Sequence, residues 1–106
     1  MIEVRMSTFA VKADKFFLPG ATSGPGYLLI EDGVFGHFTK EKPECEIVDR
    51  TGSWVAPGLV DTHIHGFLDH DIMDCDPDGV IEIAQGLLSN GVTSWLPTTL
   101  TASIEQ

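Results

Sequence analysis

The chain has 106 residues, with 6 Lys and Arg against 16 Asp and Glu and a formal charge of −10. That balance excludes a nucleic-acid binder working through a basic face, because phosphate neutralisation needs clustered cations. At 42% hydrophobic and 21% charged residues, the composition is globular rather than disordered or fibrous.

The charge is uneven. Residues 1–50 hold 8 acids and all 6 bases, whereas residues 51–106 hold 8 acids and no Lys or Arg. No apolar run is long enough to span a bilayer, so no membrane association is expected. The first 17 residues lack the apolar core of a secretory signal. Cys45 and Cys75 have no CxxC or zinc-knuckle spacing and read as two reduced thiols in a cytoplasmic protein.

The first fifty residues read as β-structure. In Thr8–Asp14, Phe9, Val11 and Ala13 alternate with polar residues, apart from Ala10, as in a half-buried strand. Pro19-Gly20 and Ser23-Gly24-Pro25-Gly26 mark a loop. Tyr27–Glu31 and Val34–Thr39 flank Asp32-Gly33, a strong hairpin signal because both turn positions need positive φ. Cys45–Asp49 is a fourth short strand. Together these predict a small sheet or half of a β-sandwich. His37 stands alone in a hairpin strand and reads as structural, and Trp54 and Trp95 read as core or domain-junction aromatics.

The pattern changes after Gly52. Past the Pro57-Gly58 break, Leu59, Val60 and Ile64 predict a buried parallel strand. Asp76-Pro77 marks a helix start, and Val80, Ile83, Ala84, Leu87 and Leu88 form one apolar stripe. Asn90-Gly91 ends the helix, and Val92–Leu96 follows as a strand closed by Pro97. Strand, loop, helix, strand is a βαβ unit, for which parallel pairing is expected.

His63 and His65 carry the chemistry of this region. Side chains at i and i+2 of a strand share a face, so two imidazoles can bind one metal such as zinc or iron. They stand at the C-terminal end of their strand, where active sites collect in parallel α/β folds. The alternative is a pair of surface histidines that happen to alternate. Asp61 shares their face, either orienting His63 or a neighbouring donor, or acting as a buried carboxylate that satisfies backbone or a cation elsewhere in the fold. Asp69, His70, Asp71 and Asp74 read as a solvated acidic loop, and Asp76 and Asp78 belong to the helix start.

These residues carry a resemblance. WVAPGLVDTHIHG is similar to the opening strand of the amidohydrolase superfamily, with its Pro-Gly-x-x-Asp-x-His-x-His pattern. HIHGFLDHDIMD and GLLSNGVTSWLPTTLTAS resemble the N-acetylglucosamine-6-phosphate deacetylase family within it, over the N-terminal portion of that family's length. Asp69 stands where similar sequences often have Gly.

The resemblance implies an α/β fold. An N-terminal β-sandwich segment, residues 1–54, would precede the first β/α unit of a (β/α)8 barrel, residues 55–106. Such a barrel needs about 250 residues, so it is incomplete in this chain. The implied activity is metal-dependent hydrolysis of the acetamido group of N-acetylglucosamine 6-phosphate by a full-length homodimer. His63 and His65 match the family's first two metal ligands, for one or two zinc or iron ions. The chain holds no catalytic acid/base and no position for phosphate binding, so inactivity is expected of these residues alone. Two rivals are another amidohydrolase, such as a cyclic-amide hydrolase, and a non-catalytic metal-binding module.

Overall fold

The computed structural model describes residues 8–105, which form two compact units divided after Pro57. In the first unit, β1 (Phe9–Leu18), β2 (Ala21–Ser23), β3 (Gly26–Glu31), β4 (Val34–Thr39) and β5 (Glu46–Val55) make one five-stranded sheet. β1 is its hub. The first part of β1 pairs antiparallel with β3, from Phe9↔Ile30 to Ala13↔Gly26, and on its other edge β1 pairs parallel with β5 from Phe9↔Glu46 to Phe16↔Val55. Its last three residues pair with β2, a short strand in the segment expected as loop.

The predicted alternation places Phe9, Val11 and Ala13 against the core with Leu28 and Ile30. An irregularity between Ala13 and Lys15 then shifts the inward phase by one residue, so that Phe16 and Leu18 continue the same core. Ala10, the exception to the alternation, is fully buried but lies outside this cluster. Phe16 meets Phe38 at a 5.2 Å ring separation, tilted by 58°. The β3–β4 hairpin turns at Asp32 and Gly33 with φ of 54° and 77°, as Asp-Gly predicts.

Trp54 is 67% exposed rather than part of the core of this unit. It stands beside Phe17, with the Lys15 Nζ 4.6 Å from its ring centroid. β5 runs on past the predicted Asp49 to Val55, and this extension carries Trp54 along the sheet.

The second unit is built on β6 (Leu59–Ile64) and β9 (Val92–Pro97), which pair in parallel around α1 (Pro77–Ser89). The βαβ unit is therefore present as expected. Asp76 caps α1 by accepting from Asp78 N at 3.1 Å, and Pro77 fills the first turn. Ile83 and Leu87 are the buried members of the predicted stripe, whereas Leu88 is exposed. Gly91 follows the helix at φ 86°, and its carbonyl accepts from Leu59 N at 2.8 Å.

β6 is not the buried strand its composition predicts, since Leu59 and Val60 are 62% and 65% exposed. A parallel strand is covered only when neighbours flank it and helices lie on both faces. Among the described residues, β6 has β9 as its strand partner and α1 is the one α-helix.

Between β6 and α1 the acidic segment is more ordered than a solvated loop. Gly66–Phe67 (β7) and His70–Asp71 (β8) form a small antiparallel hairpin, followed by a 3₁₀ turn at Ile72–Asp74. Asp71 accepts from Met73 N at 2.8 Å while Asp74 accepts from Asp71 N at 3.0 Å, a reciprocal cap built from two aspartates.

The hairpin needs Gly66, because a side chain there would overlap the His70 carbonyl. Its two loop residues, Leu68 and Asp69, hold φ of 53° and 61°. Asp tolerates this left-handed region.

Candidate metal-ligating site

β6 and β9 run in the same direction, so their C-terminal ends lie side by side and bring His63, His65 and Thr98 together. The ladder steps from Asp61↔Trp95 to Ile64↔Pro97, so β6 carries one extra residue there and bulges at Thr62-His63. Asp61 supports the bulge, its Oδ1 accepting from the His63 backbone N–H at 3.0 Å. Asp61 thus contacts the His63 main chain rather than its imidazole.

The two imidazoles converge. Their Nε2 atoms face each other at 3.1 Å, with the rings 4.9 Å apart and nearly perpendicular. The His65 Nδ1 lies 3.0 Å from the Thr98 carbonyl oxygen. A carbonyl only accepts, so Nδ1 carries the hydrogen and Nε2 is left with its lone pair.

Metal-ligating histidines are commonly held in this way by a backbone carbonyl. Two nitrogens each about 2.0–2.1 Å from one ion would stand roughly 3 Å apart across a ligand angle near 100°. The observed separation fits that requirement. Among the described residues, no set of three or more His, Cys, Asp or Glu side chains is grouped to hold an ion. The two histidines stand as a pair of nitrogen donors, with no third such side chain grouped beside them among the described residues.

Thr98 is the residue that sequence reading missed. Its Oγ1 accepts from Ile64 N at 3.1 Å and donates to Leu96 O at 3.1 Å, and its own N–H donates to Ile64 O at 2.9 Å. One threonine thus ties both strand ends together and holds His65. Its signal was positional: it directly follows the second strand of a parallel pair whose first strand ends in histidines.

Other candidates remain apart from the pair. His70 Nε2 lies 2.8 Å from Glu82 Oε2, an ion-pair geometry between hairpin and helix. His37 is exposed on β4, and Cys45 and Cys75 are both free thiols. A cleft of about 180 Å³ in the first unit is lined by apolar side chains including Phe16, Leu28, Phe35 and Val55. It is lined by no titratable or metal-ligating side chain. No helix among the described residues is long and apolar enough to cross a membrane.

No family model matches the chain. It is 38% identical over 77 residues to an N-acetylgalactosamine-6-phosphate deacetylase from Escherichia coli O157:H7, covering 73% of this chain and 20% of that protein. It is 35% identical over 80 residues to the N-acetylglucosamine-6-phosphate deacetylase of Bacillus subtilis, covering 72% of this chain and 20% of that protein. A 5-methylthioadenosine/S-adenosylhomocysteine deaminase from Bacillus cytotoxicus is 42% identical, but over only 45 residues, or 38% of this chain and 10% of that protein.

Among solved structures, a substituted N-acetyl-D-glucosamine-6-phosphate deacetylase from Mycobacterium smegmatis, in complex with N-acetyl-D-glucosamine-6-phosphate, superposes with a TM-score of 0.76. That match covers 93% of this chain and 26% of the other at 23% identity, a likeness of fold. The chain spans about a fifth of the length of the curated relatives it matches. By sequence, then, the chain is a homologue of the N-acetylglucosamine-6-phosphate deacetylases, corresponding to part of their length.

Proposed function

We propose that the full-length protein is a metal-dependent hydrolase that removes the acetyl group from N-acetylglucosamine 6-phosphate, giving glucosamine 6-phosphate and acetate. His63 and His65 are the metal ligands that this chain contributes, for one or two zinc or iron ions. The observation that carries the reading is the convergence of the two Nε2 atoms at 3.1 Å, with the His65 Nδ1 proton held by the Thr98 carbonyl. In this reading, β6, α1 and β9 are the first strands and helix of a (β/α)8 barrel, and the residues before them belong to a β-sandwich. A cytoplasmic homodimer belongs to the same reading.

His63 and His65 would hold a divalent cation, which would supply Lewis acidity toward the amide carbonyl and a bound water. The chain's own residues prepare that site. Thr98 fixes the His65 ring and its tautomer, so that in the neutral imidazole the lone pair is on Nε2, and Asp61 fixes the main chain that presents His63. None of the chain's carboxylates is assigned the proton transfer to the leaving amine, which falls to the rest of the full-length protein.

A second reading is favoured by one observation. The 38% identical relative is named for the galactosamine epimer, so N-acetylgalactosamine 6-phosphate is the competing substrate. The deaminase match is confined to 38% of this chain and favours the superfamily rather than that reaction. Acetate release by the full-length, zinc- or iron-loaded protein from each epimer, at equal concentration, tests the assignment. Higher kcat/KM on the glucosamine epimer supports it, preference for the galactosamine epimer selects the second reading, and no release from either refutes both.

A further inference from the structure

We propose that His70 is a positioning residue for the histidine pair, acting on His65 through the β7–β8 hairpin. The proposal rests on the reading of His63 and His65 as cation ligands. It begins at α1, where two residues on one face, Gly79 and Glu82, receive the His70 ring. The Glu82 carboxylate accepts from the His70 Nε2 at 2.8 Å. At Gly79 a side chain is missing where the ring sits, since a Cβ there would lie 2.8 Å from His70 Nδ1. The spacing of three residues puts both contacts on the same side of the helix.

From His70 the restraint runs back to the site through short links. His70 pairs with Phe67 and Asp71 with Gly66, so the main chain that carries the ring is held in the hairpin next to its two-residue loop. Gly66 lies against the His70 carbonyl too closely to admit a side chain. Ile72 then donates its N–H to the His65 carbonyl at 2.8 Å. His65 is thereby held from two directions, at its ring by Thr98 and at its main chain by the hairpin that His70 anchors. Glu82 is exposed, and an ordinary surface ion pair contributes little to stability. The role is therefore positional, and its test must read position.

The experiment uses the full-length protein and Co(II) as the probe cation. His70→Ala and Glu82→Ala should each weaken Co(II) binding about 10–100-fold, the range for losing a group that orients a ligand. His70→Gln keeps an N–H for Glu82, and Glu82→Gln keeps an acceptor oxygen; both should restore most of the affinity and the Co(II) visible spectrum. Amide exchange at Ile72, measured without metal, should rise about tenfold or more in both alanine variants.

Wild-type Co(II) affinity in both alanine variants would overturn the proposal, as would unchanged Ile72 exchange. If wild type itself binds no Co(II), the ligand reading fails, and Ile72 exchange alone decides the positioning role. If His70→Ala does not fold, Glu82→Ala carries the test from outside the hairpin.

Discussion

Thr98 fixes one nitrogen of His65 and thereby sets the state of the other. Its carbonyl takes the Nδ1 hydrogen at 3.0 Å, leaving the Nε2 lone pair aimed at His63. The same residue's hydroxyl accepts from Ile64 N, so the strand end and the imidazole are held by one side chain and one carbonyl.

Thr98→Val separates these two functions. Valine keeps the carbonyl but removes the hydroxyl, leaving the half-buried Ile64 N–H without its partner. The expected cost is about 1–3 kcal/mol of local stability. Faster amide exchange at Ile64, with the His65 Nδ1–H tautomer retained in imidazole ¹⁵N spectra, is the predicted signature.

Ile83 is fully buried on α1. Ile83→Ala removes its contacts and leaves a cavity, so a loss of about 2–5 kcal/mol is expected, against about 0.5–1.5 for Ile83→Val. Denaturant midpoints of the full-length protein, compared at constant m-value, would show that order.

Asp69 sits at φ 61° without glycine's freedom. Asp69→Gly should relieve backbone strain and stabilise the hairpin by a fraction of the roughly 1–2 kcal/mol that L-residues lose in this region. Increased amide-exchange protection at His70 and Ile72 is the expected result.

Asp49 titrates below its ordinary value. The Thr51 hydroxyl at 2.6 Å and the Thr51 N–H at 2.9 Å both favour its charged form, with a smaller contribution from Lys12. A depressed carboxylate contributes stability that is present above its unfolded pKa and lost as pH falls through its folded pKa. Thr51→Val should raise the Asp49 midpoint in a ¹³C carboxyl titration and lessen that acid-side dependence.

Much of this was legible in the sequence because local rules agreed with the fold. Asp32-Gly33 dictated a turn, Asp76-Pro77 started a helix, and Asn90-Gly91 ended it. His63 and His65 were legible as a pair because strand periodicity alone places i and i+2 together, and the observed rings converge. Thr98 was not, since its role depends on a parallel neighbour 33 residues away from His65. Burial of β6 was misread for a related reason: Leu59 and Val60 have the composition of a covered strand, but coverage depends on neighbours rather than on the strand itself. The hairpin at Gly66–Asp71 was hidden because its loop, Leu68-Asp69, adopts positive φ without a glycine to announce it.

The decisive measurement is the metal content of the full-length protein, by elemental analysis, in wild type, His63→Ala and His65→Ala. The account predicts bound zinc or iron in wild type and a loss of metal in both variants, with deacetylation falling in parallel. Unchanged metal stoichiometry in both variants would contradict the assignment of His63 and His65 as ligands.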